Sequence, residues 1–461
     1  LAAAGAWSAR SLPGRERLSV LMPEELQAFL VSVQSAFMLS DAAYWQQTAE
    51  AKERYRQRIR MGFAGSEQTL TLHEIREFLS QALAKVERGL ANAHDAKLGL
   101  PRSYFAYEVV EHETVGSPAA IKPTKWRQHA LPPFLSGAVH SLRVESNAHR
   151  ANALYQAVRR SELYDEKLKM YRVCASLAHE PETIGRCQVF SPGWLENQSI
   201  WLHMEYKYLL ELLRRGLHEE FYADLKQALI PFQPPQRYGR SVLENCSFLV
   251  SSAYADPSWH GAGFVARLSG ATAEFLQMWV WMTVGREPFA LTERGELTLR
   301  LAPVLSKECF SSDGRFECLF LGKTTIVYHN PKRLPTFGAH RAVIQTMRMF
   351  PKSGDPVDCA HGLIPPPYAA MVREGTIERI EAELVPEKTL IRADRNAPAR
   401  PPTNCRVVPK TLQRSSHTIR DATCDGGFAY NNWWGVDARH NLRAFGGRHI
   451  KRWKRNGTHR T

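Results

Sequence analysis

The sequence lacks closely spaced cysteines and long apolar runs. Its eight cysteines are dispersed without a C-x-x-C pair, which argues against a zinc module or a disulfide framework and predicts reduced thiols. The longest apolar stretch, Phe275 to Gly285, contains Gln277 and Thr283 and is too short to span a bilayer. We therefore expect a globular cytoplasmic protein with no membrane segment and no bound metal.

The first residues also lack the features of a natural protein start. The chain opens Leu-Ala-Ala-Ala-Gly-Ala-Trp, with neither an initiator Met nor the basic and then apolar layout of a secretory signal. This composition predicts an internal position of a longer product.

The positive net charge of +14 is concentrated at one end of the chain. Residues 391–461 contain fifteen Lys or Arg against four Asp, a surplus of eleven, so the rest of the chain is nearly neutral. A basic end with interleaved Trp is compatible with nucleic-acid binding, but it is more typical of a solvated extension. We predict a disordered basic tail over 394–461 and do not expect nucleic acid as a partner.

Helical periodicity dominates the first part of the chain. Apolar residues from Leu26 to Phe37 recur at helical spacing, and Thr71 with Glu74 forms a capping-box pattern before a second apolar stripe. We expect these two helices to be joined by a polar connection, with Gly89 ending the second.

The middle of the chain predicts a β-ribbon or loop followed by serial helices. The segment Pro101 to Phe134 contains β-favouring residues bounded by prolines. The later periodic segments predict helices at 134–144, 151–160, 197–214, 219–230 and 271–284. The segment from Asn197 to Arg214 is apolar around most of its circumference, which is typical of a helix buried on several sides.

The periodicity changes to alternation after Glu296. Leu297, Leu299 and Leu301 alternate with polar residues, and Phe316 to Tyr328 reads as a hairpin around Gly322-Lys323. We predict a mainly α fold, an incomplete (α/α) toroid over 1–295, followed by a small antiparallel β-sandwich over 296–393. A plain helical bundle is the alternative for the helices.

One candidate site segment runs from Phe190 to His203 and is dense in polar and aromatic residues. Glu196 and Asn197 are expected at the start of a helix, with His203 one turn after Ser199 inside it. These polar groups could converge on one pocket. The alternative is that His203 is a hydrogen-bonded residue of the core.

A second candidate segment, Trp259 to Glu274, places Ser269 and Gly270 directly before a helix. Free backbone N–H groups and the positive end of the helix dipole at such a position receive phosphate or another anion. Arg267 would add positive charge. The alternative is an ordinary helix N-cap.

These segments resemble a known family. Phe190 to Gly216 is similar to a loop ending in Glu-Asn before a helix that carries a phosphate-binding His. Leu268-Ser-Gly-Ala-Thr-Ala273 resembles a Leu-Thr-Gly-Thr-Ala element, and Gly295 to Pro303 resembles a Gly-Leu-x-Ile-x-Pro element. The family is the inverting glycoside phosphorylases of the cellobiose and chitobiose phosphorylase type, and the resemblance covers about Leu131 to Pro303 and, more weakly, reaches about Ile380.

The resemblance implies a substrate and a phosphate site. His203, Ser269 and Gly270 would bind inorganic phosphate as co-substrate, with Ser269 at the family's Thr position, and no other cofactor is implied. The partner would be a β-linked oligosaccharide, and a homodimer is compatible with the family. Residue types further suggest a group of sugar-binding candidates: Glu196, Asn197, Trp194, Arg240 and Trp259. The alternative for the aromatic members is a place in the core.

The family's catalytic acid lies in an Asp-Trp-Asn-Asp element that does not occur in this sequence. Truncation, a different acid, or loss of catalysis would each explain this. Glu196, Glu244 and Glu274 are the carboxylates that could substitute, although a role in capping helices or binding sugar hydroxyls is favoured for Glu196 and Glu244. The predicted function is phosphorolysis of β-glucosides to sugar 1-phosphate with inversion. The alternatives are a hydrolase on the same scaffold and a non-catalytic carbohydrate-binding remnant.

Overall fold

A computed structural model describes residues 19–39, 41–116, 120–265, 270–389 and 406–407. Its α-helices, numbered in chain order, are α1 Glu24–Ala36, α2 Asp41–Arg58, α3 Leu72–Ala93, α4 Leu135–Val144, α5 Ala148–Arg160, α6 Arg186–Val189, α7 Leu202–Arg214, α8 His218–Ala228, α9 Pro235–Tyr238, α10 Gly270–Thr283 and α11 Tyr368–Glu374. Single 3₁₀ turns lie at Glu182–Ile184, Ile230–Phe232, Pro257–Trp259 and Lys307–Cys309.

The strands form several small sheets and one larger sheet. In the first part of the chain they are β1 Ser19–Pro23, β2 Glu67–Thr71, β3 His94–Asp95, β4 Leu100–Pro101, β5 Phe105–Val115, β6 Ala120–Ala130, β7 Tyr164–Asp165, β8 Met170–Tyr171, β9 Ile200–Trp201, β10 Phe248–Leu249 and β11 Gly263–Phe264. They continue as β12 Phe289–Leu291, β13 Leu297–Arg300, β14 Arg315–Phe320, β15 Thr324–His329, β16 Ala342–Pro351, β17 Val357–Ala360, β18 Leu363–Ile364, β19 Ile377–Pro386 and β20 Arg406–Val407. The content is thus mixed rather than mainly helical.

The chain divides into two compact units, one ending at Glu274 and the other beginning at Phe275. The division falls inside α10, which begins in the first unit and continues into the second. The domain boundary predicted between residues 295 and 296 lies 21 residues further along the chain.

The N-terminal helices follow the apolar periodicity, with two corrections. Thr71 caps α3 through a complete capping box with Glu74, as the sequence predicts. The segment expected to be a polar connection instead forms α2, whose polar surface gives little apolar periodicity to detect. The predicted stop at Gly89 is wrong, because α3 continues to Ala93 and ends at His94.

The segment between α3 and α4 forms the predicted ribbon. Strands β5 and β6 pair antiparallel along their whole length, from Phe105 opposite Ala130 to Val115 opposite Ala120. Two ion pairs, Glu108 with Arg127 and Glu111 with Lys125, connect the strands across the ribbon.

The first unit is built around α7. This helix contacts α4 and α8, and α4 also contacts α5. Nearly all its large apolar side chains are buried, as the sequence predicts for a helix covered on several sides. Each such buried Leu contributes about 1.5–3 kcal/mol of hydrophobic stabilisation. A closed ring of helices remains a prediction.

The start of α7 differs from the sequence prediction. The helix begins at Leu202, five residues after the predicted start at Asn197. Gln198 has a left-handed φ of 57°, which interrupts a helix, and Ile200–Trp201 pair with β10 instead. Ser199 therefore lies outside the helix, and His203 belongs to its first turn rather than its interior.

The second unit contains the predicted hairpin and a larger sheet. Strands β14 and β15 pair antiparallel, from Arg315 opposite His329 to Phe320 opposite Thr324. They continue into a six-stranded sheet of order β14-β15-β19-β16-β17-β20, and β12, β13 and β18 form a three-stranded sheet. Strands β15 and β19 are parallel, so the larger sheet is mixed rather than purely antiparallel as predicted.

Two further predictions concern the cysteines and the basic tail. Cys359 is disulfide-bonded, so the expectation of reduced thiols is wrong for this residue. Among the described cysteines, those outside a disulfide are Cys174, Cys187, Cys246, Cys309 and Cys318. Within the predicted tail, Arg406–Val407 form a strand paired with Val357 and Asp358, contrary to the prediction of disorder for these two residues. The remainder of 394–461 lies outside the described residues.

None of the described helices is both long enough and apolar enough to cross a bilayer.

Candidate functional site

A short three-stranded sheet positions the start of α7. Strand β10 lies between β9 and β11, with Phe248 opposite both Trp201 and Phe264. The Leu202 backbone N–H donates to the Ser247 carbonyl at 3.1 Å, which anchors the first residue of α7 beside this sheet. His203, the second residue of α7, therefore lies next to a helix start that is hydrogen-bonded to this sheet.

His203 lies directly against Gly270, the first residue of α10. A Cβ atom built on Gly270 would lie 2.2 Å from Cε1, 2.4 Å from Nδ1 and 2.4 Å from Nε2 of the His203 imidazole. The absence of a side chain at Gly270 is what allows the imidazole to approach the backbone at the helix N-terminus. Two segments that lie far apart in the sequence thus meet at one point, which we call the His203 corner.

Two charged side chains accompany His203. Its Nε2 atom lies 3.5 Å from Glu274 Oε1, and the exposed fractions of the two side chains are 36% and 15%. Partial burial lowers the pKa of His203 below its usual 6.5, and the positive charge of Lys207 lowers this pKa further, while Glu274 opposes both effects. His203 and Lys207 are four residues apart and share one face of α7.

A chain of hydrogen bonds connects α10 with α7 beside this corner. Asn245 donates from Nδ2 to Thr272 Oγ1 at 3.3 Å. The Tyr206 hydroxyl donates to Asn245 Oδ1 at 3.2 Å and accepts from the Ile230 N–H at 3.0 Å. These bonds connect the loop before β10 to both helices, so the relative position of the helix starts is constrained.

Two residues predicted to bind phosphate cannot be placed. Ser269 and Arg267 lie outside the described residues. Of the predicted phosphate-binding set, the structure therefore brings together His203 and Gly270, and the contributions of the other two stay predictions.

The predicted sugar-binding residues Glu196 and Asn197 lie in a turn before β9. Glu196 forms an ion pair with Arg186 at 2.5 Å, and its Oε2 atom is buried with no hydrogen-bond partner among the described residues. Asn197 is buried and donates from Nδ2 to the Phe190 carbonyl at 2.6 Å. Both side chains already have partners in the preceding segment, residues 186–190.

The other polar candidates lie in the loop between α9 and β10. Arg240 and Glu244 form an ion pair at 3.6 Å, with both side chains partly exposed. It is Glu274, rather than Glu244, that pairs with His203. In this loop, Asn245 is a residue that contacts α10.

Aromatic side chains form a stack across the three-stranded sheet. Trp201 stacks on Phe248 with ring centroids 5.9 Å apart, Phe248 stacks on Phe264 at 5.7 Å, and Phe264 stacks on Trp259 at 5.6 Å. The ring centroid of Trp194 lies 4.6 Å from that of Phe264. The stack ends at Trp259, which is 43% exposed and so presents an open edge of this platform.

Sequence reasoning missed Lys207 and the phenylalanines of the stack. Lys207 could have been found, because it is four residues after His203 on one helix. Phe248 and Phe264 carry no such signal, because their stacking depends on strands of only two residues that pair across the first unit.

A group of buried acids in the first unit was also not predicted. Glu205 is fully buried, and this burial raises its pKa well above 4.5 although its Oε1 accepts from the Tyr171 N–H at 2.9 Å. Asp224 accepts a short hydrogen bond from the Tyr171 hydroxyl and pairs with Arg159 at 3.0 Å. Asp165 accepts from the N–H and hydroxyl of Ser252 at 2.7 and 2.8 Å. These groups hold α7 and its neighbours together and differ from the predicted site residues.

Comparison with known proteins gives little further information. No protein-family model matches the chain, and no curated protein matches it. Two structures from Thermus thermophilus are each 12% identical: an uncharacterized conserved protein, with a TM-score of 0.27, and a GH63 mannosylglycerate hydrolase in complex with glucose, with a TM-score of 0.28. The matches cover 54% and 60% of this chain and span 46% and 66% of the other chains, respectively.

Proposed function

We propose that the His203 corner binds inorganic phosphate, and that the chain supplies this part of an inverting phosphorylase acting on β-glucosides. The observation that carries the proposal is the contact between the His203 imidazole and Gly270 at the N-terminus of α10. It brings together the two residues that the sequence resemblance associates with phosphate and that the structure describes.

The chemistry of the corner suits an oxyanion. The first backbone N–H groups of a helix have no carbonyl partner within the helix, and its N-terminus carries a partial positive charge. Because Gly270 has no side chain, the His203 imidazole lies against the backbone at this terminus, where it supplies an N–H donor. Lys207 adds a positive charge on the same face of α7.

Phosphorolysis with inversion would use phosphate in a defined way. A phosphate oxygen forms a bond to the anomeric carbon while the bond from that carbon to the glycosidic oxygen breaks, and the departing oxygen takes a proton from a carboxylic acid. In this scheme bound phosphate replaces the base-activated water of an inverting hydrolase. The proposal assigns phosphate binding to this chain and assigns the proton donor to no residue.

The aromatic stack supports a sugar substrate. The flat apolar face of a Trp ring matches the C–H surface of a pyranose, and Trp259 is the exposed end of the stack. Trp201, at the other end, is two residues before His203 in the chain. A glucoside stacked along this platform would have one end near the first turn of α7.

The proposal is tested by titrating the full chain with inorganic phosphate in a calorimeter. We expect saturable binding, and an affinity reduced about tenfold or more in H203A, because a hydrogen bond to a charged ligand is removed. The matched control is H149A, since His149 is exposed on α5 and should leave the affinity unchanged. No binding by the wild type, or equal binding by H203A, would overturn the proposal.

A product assay separates the three functional hypotheses. A phosphorylase incubated with cellobiose releases glucose 1-phosphate only when phosphate is present. A hydrolase releases glucose without phosphate, and a non-catalytic binding protein retains cellobiose without turnover. Glucose release that is independent of phosphate would contradict phosphorolysis even if phosphate binds.

A further inference from the structure

The distance between His203 and Glu274 leaves both side chains available to a ligand. Their closest atoms, Nε2 and Oε1, are 3.5 Å apart, which is longer than a strong hydrogen bond between these groups. A donor and an acceptor thus lie side by side without fully satisfying one another. A ligand group that both accepts and donates would contact the two atoms from one side.

Glu274 places a negatively charged side chain beside the proposed anion site. It belongs to the first two turns of α10, and only 15% of its side chain is exposed. Solvent therefore screens its negative charge poorly. His203 is the titratable side chain paired with it in this corner, and the positive charge of Lys207 acts on His203.

We infer, on the basis of the proposed function, that Glu274 makes the His203 corner selective for oxyanions that retain a proton. Its carboxylate accepts a hydrogen bond from the P–OH group of hydrogen phosphate or dihydrogen phosphate. The same carboxylate repels an oxyanion that has no proton to donate. The ligand class is therefore phosphate and its close analogue arsenate, and sulfate binds more weakly.

The selectivity follows from hydrogen-bond capacity. Phosphate and arsenate keep at least one proton near neutral pH, so one oxygen donates to Glu274 while another accepts from His203. Sulfate is fully deprotonated and offers acceptors only, so a carboxylate at hydrogen-bonding distance would face it without a proton between them. A site that leaves a polar group unpaired against the wrong ligand discriminates strongly.

The test is a calorimetric titration of the full chain with phosphate, arsenate and sulfate at constant ionic strength. The first variant is E274Q, which removes the charge at constant size. The matched control is E219Q, because Glu219 is exposed in the first turn of α8 and does not belong to the His203 corner. For the wild type we expect phosphate and arsenate to bind and sulfate to bind at least about tenfold more weakly.

In E274Q the preference for phosphate over sulfate should be lost, because the amide carries no charge and can donate a hydrogen bond to sulfate. We expect the sulfate affinity of E274Q to rise about tenfold while its phosphate affinity falls, and E219Q to behave as the wild type. A gain in sulfate binding is not an effect that simple structural damage produces.

The outcomes distinguish failure of this inference from failure of the proposed function. If the wild type binds neither phosphate nor sulfate, the phosphate site itself is wrong. If it binds both with similar affinity, or if E274Q keeps the wild-type preference, the phosphate site stands and the role of Glu274 is wrong.

Discussion

The imidazole of His203 occupies the space that any side chain at Gly270 would need, with three ring atoms 2.2 to 2.4 Å from the Cβ position. The contact joins the first turn of α7 to the first residue of α10. The orientation of His203 therefore depends on the absence of a Cβ atom at a residue far away in the sequence.

The substitution G270A tests this dependence. The added methyl group would displace the imidazole, which is the movable end of a side chain, so the free energy of unfolding should change by less than about 1 kcal/mol. The phosphate affinity should nevertheless fall about tenfold, because His203 no longer faces the helix terminus. Urea unfolding and phosphate titration measure the two effects separately.

The control for this substitution is G89A in α3. Gly89 lies inside a helix, and a Cβ there would meet no described atom within 4 Å. The free energy of unfolding of this variant should increase by about 0.5–1 kcal/mol, because the conformational entropy of the unfolded chain is lower, and its phosphate affinity should be unchanged. Equal phosphate affinities in G270A and G89A would contradict the proposed role of the contact.

The lowered pKa of His203 predicts an acid-dependent loss of stability. Because partial burial and Lys207 lower the pKa below 6.5 in the folded protein, the unfolded chain binds a proton more readily. Stability contributed by this residue should be full above about pH 6.5 and fall as the pH decreases below it. The slope of the free energy of unfolding against pH, measured between pH 5 and pH 8, should be smaller in H203Q than in the wild type.

Phosphate should reduce the same slope in the wild type. A bound anion favours the protonated imidazole and so raises the pKa of His203 toward that of the unfolded chain. Identical slopes in wild type and H203Q, with and without phosphate, would show that His203 does not titrate differently on folding.

Glu205 and Glu211 are buried side chains of the same helix with opposite expected responses to substitution by Gln. Burial raises the pKa of Glu205 well above 4.5, so its stabilising contribution is complete below about pH 4.5 and is lost as the pH rises. The substitution E205Q keeps an acceptor for the Tyr171 N–H. At pH 8 this variant should be more stable than the wild type, and the difference should vanish near pH 4.5.

Glu211 instead accepts from two arginines. Arg143 Nε lies 2.7 Å from its Oε1, and Arg214 donates to the same oxygen. The substitution E211Q should therefore lower the free energy of unfolding by about 2 kcal/mol at neutral pH, because it weakens two charge-assisted hydrogen bonds. Unfolding by urea at pH 4.5 and pH 8 distinguishes the two variants, and equal destabilisation by both would contradict this account.

Asp165 joins β7 to the segment after β10. Burial opposes its ionisation, but the hydrogen bonds from Ser252 and the charge of Arg172 outweigh this, so its pKa lies below 3.8. The substitution D165N should cost about 2–3 kcal/mol, because the amide cannot accept from all these donors. The stabilising effect of the carboxylate should be full above about pH 3.8 and be lost as the pH falls through its pKa in the folded protein.

The control for D165N is D256N. Asp256 is exposed and accepts from Ser258 at the start of a 3₁₀ turn. Its substitution should cost no more than about 1 kcal/mol. A similar loss in both variants would mean that the interactions of Asp165 are no stronger than those of an exposed cap.

The accuracy of the sequence predictions followed the range of the interactions involved. The capping box at Thr71 and Glu74 and the hairpin around Gly322 depend on residues a few positions apart, so both were predictable. The start of α7 was mispredicted because Ile200–Trp201 pair with residues almost fifty positions away. The parallel pairing of β15 with β19 joins residues over fifty positions apart and has no local pattern.

The sequence by itself determined the helices with a clear apolar stripe, the hairpin, and the presence of a His in one helix and a Gly at the start of another. These depend on periodicity and on the conformational preferences of neighbouring residues. Only the tertiary structure decided that His203 lies against Gly270 at a distance of 3.5 Å from Glu274, that Glu205 is fully buried, and that four aromatic rings form one stack. The physical reason is that packing between distant segments sets both the spacing of charges and their exposure to water.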